Sequence, residues 1–267
     1  MSTQSTPETS PQGVTTLTVD GAIATVTFDR QRARNAMTWA MYDGMAEACV
    51  SIASNPNVRV AVFRGAGGKA FVAGTDIEQF SAFESGQDGI DYEHKIARYV
   101  AAVAGLKVPT IAAVEGWAVG GGMAIASVCD FRIASAGARF GVPIARTLGN
   151  CLSAGNLNVL MAQLGPSMVR RMLLLAEMVP AEELLANGYI LAVAPADELD
   201  AVLERYTQML CSHAPVTMAV TKQTLARLIE ATAAQDADLV EQAYGSADFR
   251  EGVAAFVAKR APVWHGK

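Results

Sequence analysis

The sequence predicts an α/β core followed by a helical region, on three observations. Short apolar runs of strand length, "VRVAVFRG", "TIAAVEG" and "DFRIAS", alternate with longer helix-like segments. β-Branched residues lie on both sides of Asp20-Gly21 in "VTTLTVDGAIATVTFDR", which is a hairpin pattern. From about Pro166 the strand signals fade and helical segments dominate.

Taken in order, "MSTQSTPETSPQG" is rich in Ser, Thr and Pro and reads as a disordered tail over residues 1–13. After the hairpin, Thr38 is placed to cap a helix that runs to about Ser54 and is closed by "NPN". "VRVAVFRG" reads as a strand buried on both faces. Asp76 then caps a helix beginning at Ile77, and Ala73, Gly74 and Thr75 form a turn before it with free N–H groups. In "GWAVGGGMAIASVCD", Gly120, Gly121 and Gly122 precede Met123 to Ala126, which read as a buried helix starting near Gly122. Beyond Pro166 come "SMVRRMLLLAE", "AEELLANG", "LDAVLERYTQMLCSHA", "APVTMAVTKQTLARLIEA" and "EGVAAFVAKR", interrupted by "YILAVA". The expected organisation is a core over 14–165 and a helical region over 166–267. There is no sequence-level repeat, although the core offers strand–strand–helix units.

Composition narrows the function. The chain has 267 residues, 51% of them hydrophobic and 18% charged, and a net charge of −5. That suits one domain with a substantial core and surface buried in an oligomer. A nucleic-acid footprint needs clustered Lys and Arg, which are absent. Cys49, Cys129, Cys151 and Cys211 are scattered, and His94, His213 and His265 form no ligand pattern, so no metal site is expected. No apolar run approaches the ~18 residues of a membrane span. The N-terminus has neither the basic start nor the apolar stretch of a secretory signal, which predicts an intracellular, cytoplasmic protein.

The two glycine-bearing loops, Gly67–Phe80 and Gly116–Asp130, carry the chemistry. Both follow core strands, and ligands of open α/β folds bind at the strand ends. Two backbone N–H groups from such loops can converge on one oxygen as an oxyanion hole, with a helix start aimed at the same point. Taken one by one, each glycine also suits a plain turn or close packing.

Together, "AFVAGTDI" and "GWAVGGGMAIASVCDFRIAS", with "RARNAM", "RFGVP" and "EGVAAFVAKR" in the same order, resemble the crotonase superfamily, the enoyl-CoA hydratase/isomerase family. The resemblance covers about residues 14–262. It implies a crotonase-like spiral of strand–strand–helix units with a C-terminal helical region, assembled as a homotrimer or a dimer of trimers. It implies that the N–H groups of Thr75 and Gly121 hold the thioester oxygen of an acyl-CoA. It also implies CoA contacts by Arg32, Ala33, Lys69 and Ala73, with Lys259 reaching a CoA bound to a neighbouring subunit. Gly74, Asp76, Ile77, Gly120 and Ile144 fall among the substrate-binding positions. Coenzyme A enters as part of the substrate, and no permanently bound cofactor is implied.

The family pattern breaks at two places. Hydratases of the family place and activate water with two glutamates, and those slots are Ala124 and Ile144 here. Neither side chain accepts a proton. The segment "PIARTLGNCLSAGN" carries one residue more than usual, with Arg146, Asn150, Cys151 and Ser153 in a stretch that is normally apolar. Arg146 suits a clamp on the acyl group or a plain surface position. Cys151 suits a nucleophile beside a cation, or a packed thiol. Asp76, Glu115 and Asp130 read as structural. Glu84, Asp88, Asp91, Glu93 and His94 fall in a region read as a solvated lid over the acyl pocket, where Tyr92 could position a substrate. The resemblance implies an acyl-CoA enzyme with the enoyl-CoA hydratase label. An isomerase, a hydrolase, a decarboxylase and a non-catalytic acyl-CoA-binding protein remain as alternatives.

Overall fold

The computed structural model describes residues 12–232 and 234–266. Residues 1–11 of the expected tail lie outside them. The hairpin forms as β1 (Val14–Asp20) and β2 (Ile23–Asp29), antiparallel with Asp20 opposite Ile23. Alternation along β2 buries Ala24, Val26 and Phe28. A 3-10 turn, Gln31–Ala33, leads to Thr38, whose hydroxyl accepts the Met41 N–H at 3.3 Å and caps α1 (Trp39–Ser54). Met41, Met45, Ala48 and Ile52 repeat at helical spacing and form its buried stripe.

Next come β3 (Val60–Gly65), β4 (Ala70–Val72) and a 3-10 turn, Ile77–Phe80. α2 (Gly86–Ala104) begins at a capping box of Ser85 and Asp88. It is followed by β5 (Thr110–Val114), β6 (Trp117–Val119), α3 (Gly121–Val128), β7 (Phe131–Ser135), β8 (Arg139–Gly141) and the short α4 (Ile144–Thr147). α5 (Ala154–Leu174) kinks where Gly165, at φ +75°, meets Pro166. The remaining elements are β9 (Val179–Pro180), α6 (Ala181–Asn187), β10 (Ala192–Ala194), α7 (Leu199–Ser212), α8 (Pro215–Glu230), α9 (Ala237–Tyr244) and α10 (Ala247–Val257).

Two sheets result. The larger has the order β1-β2-β3-β5-β7-β10, and the smaller has the order β4-β6-β8-β9. Three consecutive units send their first strand to the large sheet and their second to the small one before a helix: β3-β4-α2, β5-β6-α3 and β7-β8-α4. This is the expected spiral of strand–strand–helix units. The bends between paired strands are tight. At Gly116, φ +65°, a Cβ would sit 2.0 Å from the Lys69 carbonyl oxygen. The core lies between the sheets and the helices, where Phe28 meets Phe71 edge-on at 5.7 Å. A second cluster packs Leu199 and Leu203 of α7 on Val60, Val62, Ile111 and Ile133.

The division expected at residue 165/166 falls inside α5, at its kink. β9 and β10, both from beyond it, complete the edges of the small and large sheets. Lys222 of α8 is latched to Asp130 at 2.7 Å, and the Asp130 carboxylate also accepts the Thr110 N–H at 2.7 Å. That is the structural role expected for Asp130. α9 packs closely on α2. A Cβ on Gly86 would meet the Glu241 carbonyl at 2.4 Å, and one on Gly89 would meet the Tyr244 ring at 2.1 Å.

Asn35, at φ +58°, stitches the 30–37 loop to the β3–β4 bend. Its Oδ1 accepts the Arg30 N–H at 2.9 Å, and its Nδ2 donates to the carbonyls of Ala66 at 3.0 Å and Ala70 at 2.8 Å. Asn35→Ala leaves three main-chain groups short of a partner. We expect a loss of about 3 kcal/mol in urea unfolding, from orphaned groups worth about 1–3 kcal/mol each and partial access of water.

Candidate active site

β4, β6 and β8 pair in parallel, so the residues that follow them leave from one edge of the small sheet. These are 73–76, 120–122 and 142–144. The Gly120 N–H donates to the Gly141 carbonyl at 3.0 Å and ties the second loop to the third. The 30–37 loop runs along the first. Ala73 N–H donates to Arg34 O at 3.1 Å, Met37 N–H to Gly74 O at 2.9 Å, and Asp76 N–H to Met37 O at 2.9 Å. This short ladder turns the Thr75 N–H away from Met37, and no described residue accepts from it. Gly121 opens α3, where a helix leaves its first N–H groups unpaired. A Cβ built on Gly121 would lie 3.7 Å from the Thr75 nitrogen, 3.1 Å from its Oγ1 and 2.6 Å from the Tyr42 hydroxyl. The two loops therefore meet at Thr75 and Gly121.

Each glycine of the triplet has its own cause. Gly120 holds φ +53° and ψ −114°, a conformation closed to other L-residues. Gly121 admits the Tyr42 hydroxyl. Gly122 presses α3 onto β4, where a Cβ would meet the Val72 carbonyl at 2.1 Å.

The Thr75 side chain is clamped as well. Its Oγ1 lies 2.9 Å from the Tyr42 hydroxyl and accepts from Tyr92 at 3.0 Å. Burial pushes the Tyr42 phenol up to about 12 and raises that of Tyr92 well above its ordinary value, so both stay protonated at neutral pH.

The other residues singled out in the sequence fall at varied distances from this point. Arg32 and Lys69 are exposed on neighbouring loops. The N–H groups of Ala33 and Ala73 are engaged within those loops, with Arg30 and Arg34 as acceptors. Gly74 holds φ +107° beside Thr75. Asp76 caps the turn that starts at Ile77, accepting the Glu78 N–H at 3.2 Å, and pairs with Arg30 at 2.7 Å. Glu115 pairs with Arg64 at 3.4 Å. Ala124 lines a small, mostly apolar cavity with Gly120, Val142, Leu152 and Leu160. Ile144 opens α4 and is half-buried. Arg146 is exposed in the last turn of α4, where its guanidinium makes no hydrogen bond or ion pair with a described residue. Lys259 is exposed beyond α10.

Two expectations are corrected. A nucleophilic Cys151 needs a depressed thiol pKa. Burial instead pushes the thiol up to about 12, and the neighbouring charges of Glu93 and Asp236 act in the same direction. The 84–94 stretch is not a solvated lid along its whole length. Glu84, Asp91 and His94 are exposed, but Tyr92 and Glu93 face inward from α2, and Glu93 is only 4% exposed. Its Oε1 accepts the Tyr244 hydroxyl at 2.8 Å and its Oε2 accepts the Ser153 N–H at 3.1 Å. The Tyr244 hydroxyl in turn accepts Asn150 Nδ2 at 3.1 Å. Burial raises the Glu93 carboxyl above the usual carboxylate range, more than these hydrogen bonds lower it. The available signal was the buried repeat Gly89, Tyr92, Ile96, Val100 and Val103, masked by glycines and charges at its start.

Strand–strand–helix units wound into two sheets, with glycine loops meeting at one sheet edge, define a crotonase-fold protein. The chain belongs to the enoyl-CoA hydratase/isomerase family, whose model matches residues 18–267. It is 32% identical over 248 residues to the short-chain-enoyl-CoA hydratase of Clostridium acetobutylicum, covering 90% of this chain and 93% of that one. It is similar to the crystal structure of an enoyl-CoA hydratase/carnithine racemase from Magnetospirillum magneticum, with a TM-score of 0.78 and 32% identity over 97% of this chain and 99% of that one. It is also similar to methylmalonyl-CoA decarboxylase in complex with 2-nitronate-propionyl-CoA, with a TM-score of 0.87 and 25% identity over 95% of this chain and 99% of that one.

A raised Glu93 pKa has a sign that stability can report. Between the unfolded value and the higher folded one, the native state holds a proton that the unfolded chain has lost, so stability falls as pH rises through that window. Glu93→Gln keeps an acceptor for Ser153 and removes the titration. The unfolding free energy of wild type minus that of Glu93→Gln should decrease as pH rises above the ordinary glutamate range, at most ~1.4 kcal/mol per pH unit.

Proposed function

We propose that the protein is an acyl-CoA enzyme that stabilises a thioester enolate between the main-chain N–H groups of Thr75 and Gly121. One observation carries this reading: two N–H groups without acceptors among the described residues, from separate loops, meet at one edge of the small sheet. An enolate places negative charge on the thioester oxygen, and fixed donors in a water-poor site stabilise that charge. Arg32 and Lys69, on the loops beside the hole, suit the phosphates of the CoA portion. Lys259 suits a CoA bound to a neighbouring copy. The substrate carries its own coenzyme A, and enolate formation calls for no resident cofactor.

The family membership supports a lyase acting on CoA thioesters, with hydration of an enoyl-CoA as the first reaction to assay. Ala124 and Ile144 deprive it of the two-carboxylate route, so hydration of crotonyl-CoA should be slow. A second reading is decarboxylation of a malonyl-type thioester. The apolar residues at 124 and 144 favour it, as does the TM-score of 0.87 to methylmalonyl-CoA decarboxylase. Loss of CO2 leaves its bonding pair as the enolate, so such a substrate needs the hole and a proton donor but no strong base.

Assembly as a trimer or a dimer of trimers fits the surface. α8 has no buried residue and exposes Val216, Val220, Leu225 and Leu228. No described helix is long and apolar enough to cross a membrane, and a cytoplasmic location belongs to the same proposal. Light scattering should give three or six times the 28.0 kDa chain mass.

The test of the hole is Gly121→Ala on whichever enoyl-, acyl- or malonyl-thioester turns over best. The added methyl meets Tyr42 and Thr75 and forces the N–H groups apart. Turnover should fall by about 100- to 1,000-fold, the loss typical of removing one oxyanion donor. Turnover within a few-fold of wild type would remove the basis of the reading.

A further inference from the structure

We propose that Glu93 is the group that takes the proton from, and returns it to, the α-carbon of the thioester held at Thr75 and Gly121. This rests on the enolate reading above.

Four observations support it. Glu93 is the one carboxylate among the buried residues described. It has no cationic partner among them. Removing one carboxylate from water without a partner charge is costly, and such groups concentrate at functional sites. Its position also fits. Through Ser153 its carboxylate sits on the segment that follows the third loop. The preceding residue of α2, Tyr92, reaches Thr75 directly. The carboxylate is also within electrostatic range of the Tyr42 hydroxyl, the atom a Gly121 side chain would strike. Third, the surroundings exclude water. Phe80, Phe83, Tyr92, Tyr244 and Phe249 form one aromatic cluster, with Phe80 and Tyr92 centroids 4.8 Å apart and Tyr244 and Phe249 4.9 Å apart. Last, beside Tyr244 the Asn150 Oδ1 is buried with no donor among the described residues, which leaves an unused acceptor next to the Glu93 cluster.

The step balances within the pair. The Glu93 carboxylate takes the α-proton, the C–H electron pair becomes the enolate C=C bond, and the carbonyl π pair moves to the oxygen facing Thr75 and Gly121. The reverse restores the thioester. An enolate left by loss of CO2 takes its proton from the same carboxyl. The groups that set this titration are Tyr244 on α9, Ser153 between α4 and α5, and Asp236 just before α9, and Tyr42 on α1, Tyr92 on α2 and Cys151 are the other titratable groups that face it. No lysine, arginine or histidine is among them.

The experiment is deuterium exchange at the α-carbon of butyryl-CoA in D2O, followed by NMR on the full-length protein. Wild-type exchange should rise with pH through a group titrating above the ordinary glutamate range. Glu93→Gln should keep its circular dichroism and bind butyryl-CoA as wild type does, lose that rise, and exchange at least ~100-fold more slowly. Tyr244→Phe removes a hydrogen bond that favours the charged carboxylate, so its profile should move to higher pH. This variant also carries the test if Glu93→Gln does not fold. Exchange by Glu93→Gln within about twofold of wild type would overturn the inference. So would a Tyr244→Phe profile that stays in place, or no exchange by a wild type that binds butyryl-CoA. If Gly121→Ala suppresses exchange while Glu93→Gln does not, only the inference fails. If neither variant matters, the enolate reading fails with it.

Discussion

The parallel pairing of β4 with β6, and of β6 with β8, is the constraint on which the site depends. Three strands of three residues each would be negligible as isolated elements. Parallel alignment gives them their effect, because it sends three successive loops out of the same sheet edge. The loops cannot drift apart. Gly120 is bonded to Gly141, α3 rests on the backbone of β4 through Gly122, and the 34–37 segment runs as a ladder along 73–76. The direction of the Thr75 N–H follows from that ladder, since its neighbours on both sides, Gly74 and Asp76, are bonded to Met37. A pair of donors placed this way is a property of backbone geometry.

Burial then decides what the side chains around the hole can do. Tyr42 and Tyr92 are buried far enough that ionising either is costly, so both stay protonated and hold Thr75 from two directions. The same low polarity acts against Cys151, because a thiolate there would be uncompensated. Glu93 lies between these cases. Its hydrogen bonds from Tyr244 and Ser153 partly replace the water it has lost, and the remaining penalty favours the protonated form. Raising a carboxyl above its ordinary range makes its charged form a stronger base, which suits it better to proton transfer than a fully solvated one.

What the sequence makes legible follows from how local each determinant is. The Thr38 cap, the strands 60–65, 110–114 and 131–135, and the glycine loops are specified by neighbours within a few residues, and they read directly. β4, β6 and β8 are set by pairing partners about 20 to 50 residues away and carry no strand pattern of their own. α2 is harder still. Gly86 and Gly89 look like loop residues, yet they are there because α9 packs against them from about 150 residues further along the chain. Glu93 becomes buried by the same late contact, through Tyr244 at a separation of 151 residues, so its charge reads as lid-like until the C-terminal helices are in place. Arg146 carries the converse lesson. A polar residue in an unusual segment drew notice, and its side chain finished exposed.

The division of labour between backbone and side chain bears on how such a site can vary. Main-chain donors survive most substitutions, since any residue but proline supplies an N–H, provided the ladder and the glycines stay. Thr75 shows this, because its hydroxyl is turned to the tyrosines while its N–H remains unpaired. The proposed proton-transferring group has no such anchor to one position. It needs only to overhang the sheet edge, and here 124, 144, α2 and the 150–153 segment all surround that edge. Losing carboxylates at two of these positions therefore need not empty the site of acid–base chemistry, because a helix held down by the C-terminal region can present one from the opposite side. The C-terminal helices then do more than cover the core, since without α9 against Gly86 and Gly89 the Glu93 carboxylate would face water and titrate as an ordinary one.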